Sequence, residues 1–127
     1  MKDVIVKKSK IEGSGVFANK DFKKGEVVLK WDTSKQLSTK EVEKVPEDEK
    51  KYVSFVNNKY TLMRPPERYV NHSCNANTNV GDFCDVAKRD IKKGEEITGD
   101  YSQDTTPDFE MKCTCGSKNC KGIIKKE

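Results

Sequence analysis

Short apolar runs, each broken by glycine or by charged residues, recur along the chain and predict strands rather than long helices. The runs that we expect to form strands lie at residues 4–6, 27–31, 83–91 and 96–98. A longer region, 39–56, has helical character, because the segment PEDE at 46–49 suits a first helical turn. Its apolar residues would share one helix face, namely Tyr52, Phe55 and Val56. The tail from residue 102 is loop-like up to its cysteines.

Nine residues at 18–26, ANKDFKKGE, return in altered form at 87–95 as AKRDIKKGE. Each copy is typical of a strand end, a turn at glycine and the start of a new strand. Glycine supplies a positive φ in such turns, while the flanking Lys and Glu side chains remain solvated. We interpret the repeat as recurring turn chemistry.

Length and composition predict one domain with a thin core. The chain has 127 residues, of which 33% are hydrophobic and 36% charged, so something besides apolar burial should stabilise it, such as a metal. The net charge of +4 comes from 22 Lys and 3 Arg interleaved with 21 acids. That pattern favours a solvated surface, so we expect no direct nucleic-acid readout.

No apolar run has the length of a signal peptide or of a membrane span. We therefore expect a soluble intracellular protein, in the cytoplasm or the nucleus or nucleoid, with no membrane partner. Secretion as an effector stays open, and the sequence leaves the oligomeric state undetermined.

The cysteines point to a metal site. Cys113 and Cys115 flank one residue, Cys120 follows closely, and Cys74 lies upstream in the central segment. Four thiolates in a tetrahedron are a standard structural zinc arrangement. Disulfides are the alternative, but five is an odd number, and neighbours as close as 113 and 115 are poorly placed to pair. Cys84 lies outside this group of four, and we interpret it as a small hydrophobic residue buried in a strand.

Residues 68–77, RYVNHSCNAN, form the most concentrated group of polar side chains in the middle of the chain. The segment holds the only histidine, His72, beside Asn71 and Arg68, which offer donors and acceptors for a ligand. His72 could be a general base, although a lone histidine beside metal-binding cysteine is more often structural or ligand-contacting. Tyr101 is a plausible acid-base or orienting phenol, yet a lone tyrosine is more often part of a core or rim.

Taken together, these motifs resemble those of the SET-domain protein lysine methyltransferases, including the short microbial and viral ones. Four segments match in the family's order: GSGVFA, RYVNHSCNAN, GEEITGDY and CTCGSKNC. The resemblance implies a mainly β fold of small sheets and short helices with a C-terminal pseudoknot. It also implies a SET domain at 1–102 and a zinc-binding post-SET tail at 103–127.

The resemblance further implies the roles of individual residues. The catalytic residue would be Tyr101, with Tyr52 as an aromatic of the lysine channel and Tyr60 as the second choice for that position. S-Adenosylmethionine would be bound by Gly13, Ser14, Gly15, Val16, Phe17, Arg68, Asn71, His72 and Tyr101. Structural Zn²⁺ would be bound by Cys74, Cys113, Cys115 and Cys120.

The implied activity is transfer of a methyl group to the ε-amine of a lysine in a protein substrate, a histone or another basic protein. The alternative is a zinc-stabilised module that binds a peptide without turnover.

The sequence departs from the family's usual motifs at two positions: Ala76 replaces the usual proline, and Gly99 replaces the usual bulky residue. Since residues two apart on a strand share a face, position 99 should face the pocket of Tyr101. Glycine there leaves room, so we expect di- and trimethylation to be possible.

Overall fold

The computed structural model describes residues 3–106, 109–113 and 115–126, over which short strands dominate. In chain order the strands are β1 (Val4–Lys8), β2 (Ser14–Ala18), β3 (Val27–Lys30), β4 (Gln36–Leu37), β5 (Val53–Val56), β6 (Lys59–Leu62), β7 (Asn71–His72), β8 (Thr78–Val80), β9 (Cys84–Ala87), β10 (Glu96–Gly99), β11 (Glu110–Lys112) and β12 (Ile123–Lys125). The helices are α1 (Thr39–Glu43) and the 3₁₀ turns Glu47–Tyr52, Glu67–Tyr69 and Tyr101–Gln103. The mainly β fold class is therefore confirmed.

Four small sheets make up the described part of the fold. Their strand orders are β1-β2-β10-β7, β3-β9-β8, β4-β6-β5 and β11-β12. The one parallel pairing in the first sheet matters most for the site, because β10 pairs with β7 and sets Thr98 opposite Asn71 and Gly99 opposite His72. The central polar segment is thus fixed beside the strand that leads into Tyr101.

The two copies of the repeat pair with each other, a relation that turn chemistry alone does not predict. We call residues 18–26 and 87–95 the paired turns. The Phe22 N–H donates to the Ile91 carbonyl at 2.7 Å, and the Ile91 N–H donates to the Phe22 carbonyl at 2.8 Å. Both side chains are almost fully buried in the core.

Side chains at equivalent positions of the paired turns make reciprocal hydrogen bonds. The Lys24 N–H donates to Asp90 Oδ1 at 2.9 Å, and the Lys93 N–H donates to Asp21 Oδ1 at 2.8 Å. Each aspartate therefore accepts a backbone hydrogen bond from the opposite copy. The repeated sequence thus forms a local two-fold arrangement around the core.

Only part of the region 39–56, for which helical character was expected, is helical. Ser38 caps α1 through a capping box with Glu41, but α1 ends at Glu43 and only a 3₁₀ turn follows Pro46. From Val53 the chain pairs with β6 instead, so Phe55 and Val56 lie on a strand. β-Branched and aromatic residues favour a pleated surface once a partner strand is present, and that partner is not visible in local sequence.

Two smaller expectations also need correction. The tail is not a loop up to its cysteines, because β11 and β12 form an antiparallel pair around them. Cys84 lies on β9 as expected, but its side chain is only half-buried.

Of the proposed tail, Pro107, Asp108, Thr114 and Glu127 lie outside the described residues. In the part of the chain that is described, no helix combines the length and apolar character needed to cross a bilayer.

Candidate active site

Two neighbouring pockets share walls at Tyr101. One, which we call the Asn71 pocket, is lined by Gly13, Ser14, Asn71 and His72. The other, which we call the Gly99 pocket, is lined by Gly99, Val70, Ser54, Asp85 and Asp104. Both contain Lys51, Tyr52, Arg68 and Tyr101. A group bound in one pocket would therefore lie next to a group bound in the other.

Tyr101 is held as a neutral phenol. Its hydroxyl donates to the Val70 carbonyl at 2.6 Å. Burial raises the pKa of Tyr101 above its ordinary value, so the phenol keeps its proton at neutral pH. β10 ends at Gly99, and Tyr101 begins a 3₁₀ turn, yet both residues line the same pocket as expected. Tyr101 can thus orient a reacting group but is a poor base.

His72 connects Tyr101 to the cysteines. Its Nδ1 accepts a hydrogen bond from the Tyr101 N–H at 3.0 Å, so the ring proton of a neutral His72 resides on Nε2. Nε2 lies 3.4 Å from the Cys74 sulfur and can donate to it. Burial lowers the pKa of His72, which favours this neutral form. The imidazole is engaged at both nitrogens and has an orienting role.

Asn71 fixes the glycine loop that precedes β2. Its Nδ2 lies 3.0 Å from the carbonyl oxygens of Glu12 and Ser14, and 3.1 Å from Glu96 Oε2. The Glu96 carboxylate also accepts from the Ser9 hydroxyl at 2.8 Å. These contacts position the loop backbone at the edge of the Asn71 pocket. Sequence reasoning identified Asn71 but missed Glu96.

The predicted loop residues divide into two groups. Gly13 and Ser14 line the Asn71 pocket, whereas Gly15, Val16 and Phe17 do not. At Gly15 a Cβ would lie 2.5 Å from Glu96 Oε2, so glycine is needed there for an internal contact. Val16 is fully buried in the core, and Phe17 lies beneath the Lys7 ammonium.

Arg68 and Tyr52 form the wall common to both pockets. The Arg68 guanidinium lies 4.2 Å from the centroid of the Tyr52 ring. Among the described residues, the buried Nε of Arg68 has no hydrogen-bond partner. A buried donor without a partner is costly, and a ligand carboxylate would satisfy it. Tyr60 is placed elsewhere, against Phe55 at a centroid distance of 4.7 Å, and does not line either pocket.

Four of the five cysteines converge. The sulfur atoms of Cys74, Cys113, Cys115 and Cys120 all lie within 4.8 Å of one another. A tetrahedron with Zn–S bonds of about 2.3 Å separates sulfurs by roughly 3.8 Å. The Cys74 and Cys113 sulfurs are 3.8 Å apart, too far for a disulfide, and all five thiols are free. The cluster can hold a metal ion.

The thiols of the cluster differ in the direction of their pKa shifts. Burial raises the pKa of Cys113. Burial acts in the same direction on Cys115, but hydrogen bonds with the Cys74 backbone and with Ser117 lower its pKa to about 6. The backbone N–H of Lys121 donates to the Cys74 sulfur at 3.3 Å. Such contacts orient metal-binding sulfurs and stabilise their charge.

Sequence reasoning also missed the carboxyl groups of the Gly99 pocket. Asp85 is 5% exposed, and its Oδ2 accepts from Trp31 Nε1 at 3.0 Å. Along β9, Asp85 and Ala87 are the buried positions. An acid on the inward face of an alternating strand was the available signal.

Comparisons with known proteins agree on one family. A family model described as the SET domain matches residues 13–102. The chain is 33% identical over 138 aligned residues to the human protein named histone-lysine N-methyltransferase 2D, covering 94% of this chain and 2% of the relative. It is 32% identical over 149 residues to a Candida glabrata histone-lysine N-methyltransferase described as H3 lysine-36 specific, covering 96% of this chain and 19% of that one.

A solved structure shares the fold. It is the crystal structure of a candidate histone methyltransferase from Plasmodium falciparum, with a TM-score of 0.62 and 22% identity. The superposition covers 78% of this chain and 92% of that one.

Proposed function

The chain belongs to the SET-domain family, and on that premise we propose that it is a protein-lysine N-methyltransferase using S-adenosylmethionine. The observation that supports this best is the shared wall of the two pockets at Tyr101, Tyr52 and Arg68. Methyl transfer needs a donor and an acceptor in line, and adjoining pockets separated by few side chains provide that geometry. Relatives named as histone-lysine methyltransferases support the same reaction class.

The Asn71 pocket is the proposed cofactor site. S-Adenosylmethionine, when bound, supplies an electrophilic methyl group on a positively charged sulfur. Arg68 would bind its carboxylate through the unpartnered Nε, and Asn71 would fix the loop at Gly13 and Ser14 that borders the ligand. His72 would hold the backbone of Tyr101 in register with the pocket. We assign Gly15, Val16 and Phe17 to the support of this loop.

The Gly99 pocket is the proposed lysine channel. Tyr52 supplies an aromatic wall, and Tyr101 orients the amine with its phenol. A lysine has an ordinary pKa of about 10.4 and is unreactive while protonated, so the site must favour the neutral amine. Desolvation in a narrow channel lowers the pKa of the amine, and the positive charge of the cofactor acts in the same direction.

We further propose that the four cysteines bind one structural Zn²⁺ and that residues 103–127 form a post-SET tail. The donor set and the sulfur spacing fit zinc. Met111, Lys112, Cys115 and Ile124 line the Asn71 pocket, so a metal in the tail would also shape the cofactor site. The substrate would be a histone or another basic protein with an accessible lysine.

Two variants separate chemistry from cofactor binding. Tyr101→Phe should lower the rate of methyl transfer about 100-fold while the cofactor Kd changes less than about twofold, because the phenol acts on the reacting groups. Asn71→Ala should raise the cofactor Kd about tenfold or more, because it releases the loop. The measurements are transfer of labelled methyl to core histones and calorimetric cofactor binding, with the exposed Asn75→Ala as control.

The outcomes are distinct. Near wild-type turnover by Tyr101→Phe would mean that another residue orients the amine, and Tyr52 would be tested next. Cofactor binding by the wild type without methyl transfer to any lysine-rich protein, itself included, would support the peptide-binding module instead. Mass spectrometry of methyl-lysine in native extract, with and without added protein, would then identify the substrate.

A further inference from the structure

The Gly99 pocket has an acidic side that desolvation of an amine does not require. Asp85 is buried, and among the described residues its Oδ2 accepts a hydrogen bond from the neutral indole N–H of Trp31, which leaves the charge of the carboxylate unneutralised. Asp104 lines the same pocket and follows directly after the Tyr101–Gln103 turn. Burying a carboxylate costs free energy, and a cationic or proton-bearing ligand in the pocket would offset that cost.

An unpartnered hydroxyl lies in the same wall. Ser54 is 2% exposed, lines the pocket, and its Oγ has no hydrogen-bond partner among the described residues. The Phe55 N–H donates to the Asp104 carbonyl at 2.6 Å, which fixes Asp104 beside the β5 residue Ser54. This hydroxyl is an independent sign that the pocket receives a polar group.

The pocket has room for water next to these groups. It encloses about 40 Å³, enough for one or a few water molecules. Gly99 contributes no side chain, and a Cβ there would already contact Val70 Cγ1 at 3.5 Å. The buried carboxyl of Asp85, the half-buried carboxyl of Asp104, a hydroxyl and space for water therefore lie in the pocket that would receive the substrate amine.

We propose that Asp85 and Asp104 accept the proton that the substrate lysine must lose before methyl transfer, through water held at Ser54. This inference rests on the proposed function. The ε-ammonium gives one proton to a carboxylate, which leaves a neutral amine and a carboxylic acid. The amine nitrogen then forms a bond to the methyl carbon as the carbon–sulfur bond breaks, with that electron pair remaining on sulfur. The carboxylic acid finally releases its proton to solvent.

The pKa values of Asp85 and Asp104 suit the acceptance of a proton from the substrate lysine. Burial raises the pKa of Asp85 to about 7 and that of Asp104 to about 8, and repulsion from nearby acids adds to both shifts. An aspartate of ordinary pKa would be a much weaker acceptor for a lysine proton. General bases are most effective when their pKa lies near the working pH. The negative charge of Asp85 contributes to the raised pKa of Asp104, and the charge of Glu67 contributes to the raised pKa of Asp85.

Charged groups on several neighbouring elements influence the pKa values of Asp85 and Asp104. The charged and titratable residues that line the pocket are Lys51, Tyr52, Glu67, Arg68, Asp100 and Tyr101. Cys84 precedes Asp85 on β9, and Lys126 from the tail partly offsets the charge of Asp104. The pH dependence below is therefore assigned by comparing single-residue variants rather than by the profile of the wild type alone.

The test is the pH dependence of methyl transfer to a lysine peptide between pH 6.5 and 10, for the wild type and for Asp85→Asn, Asp104→Asn and the double variant. Asparagine can still accept from Trp31 but cannot take a proton. We expect the double variant to be at least about tenfold slower at pH 7.5, with the gap falling below about threefold near pH 10, where lysine loses its proton unaided. Calorimetric cofactor binding and thermal melting confirm that each variant is folded.

Trp31→Phe keeps both carboxyls and removes the indole hydrogen bond, which lowers the pKa of Asp85. This variant should therefore shift the pH profile to higher pH without abolishing methyl transfer. A double variant with wild-type rate at pH 7.5, or a loss of equal size at every pH, would overturn the proposal and leave the methyltransferase assignment intact. Absence of transfer by the wild type at every pH would instead overturn the proposed function, and this inference with it.

Discussion

The paired turns and the cysteine tail are held in place by different forces. Residues 18–26 and 87–95 bury Phe22 and Ile91 and exchange backbone hydrogen bonds. In the described parts of 103–126, Cys113 and Ile124 are the buried hydrophobic residues, and four sulfurs meet at one point. The first region is stabilised by packing and hydrogen bonds, whereas the second brings together four thiols that a metal would stabilise.

This difference matters because the tail, which has little apolar packing of its own, lines the Asn71 pocket, the proposed cofactor site. Met111, Lys112, Cys115 and Ile124 come from the tail, while Asn71 and His72 come from β7 and Tyr101 from the 3₁₀ turn after β10. His72 lies between them, with one ring nitrogen on the Tyr101 backbone and the other beside the Cys74 sulfur. Loss of metal should therefore impair cofactor binding without dismantling the core.

Phe22→Ala should have the largest effect, because it removes a fully packed ring from the paired turns. Loss of a buried phenylalanine costs about 3–5 kcal/mol, a large part of the stability of a small domain. Unfolding by urea should then shift core and tail together, since the tail depends on the core. Separate unfolding of the tail before the core in this variant would contradict that dependence.

Cys120→Ser should break the tail and spare the core. We expect the metal content to fall from about one zinc per chain to near zero and the cofactor Kd to rise about tenfold, because a tetrahedral site that loses a ligand loses most of its affinity. Amide exchange at Phe22 and Ile91 should stay slow. Elemental analysis and hydrogen exchange measure these quantities.

The matched control for that experiment is Cys84→Ser, since Cys84 lies outside the cluster. It should retain the metal. Full zinc content in Cys120→Ser would remove Cys120 from the ligand set, and fast exchange at Ile91 would show that the core also depends on the metal.

Gly99→Tyr should change the number of methyl groups that the enzyme adds. Gly99→Ala is the control for folding, because its Cβ would meet Val70 and Thr78 at 3.5 and 3.8 Å, which is ordinary contact. We expect the wild type to add up to three methyl groups and Gly99→Tyr to stop mainly at one, since a phenol would crowd a methylated amine. Intact-mass time courses measure the ratio, and a wild type that stops at one methyl group would refute the argument from space.

The sequence predicted those features that depend on local spacing or on rare residues. The strand at residue 27, the strand at 96 and the four convergent cysteines are of this kind. Val53 to Val56 were misassigned because pairing with β6 decides their conformation. Asp85 and Glu96 were missed because their contacts, with Trp31 and Asn71, join segments that are far apart in the sequence.

The paired turns also constrain how the chain is made. Their reciprocal hydrogen bonds join pairs of residues that are separated by 66 and by 72 positions in the sequence. More than half of the chain therefore forms the loop between the two turns. Closing a loop of that size costs conformational entropy before the contacts between its ends can stabilise the fold, and this cost slows folding. During synthesis Phe22 cannot reach Ile91 until the ribosome has released residues well past the middle of the chain. The nascent first half should therefore remain an open chaperone substrate until then.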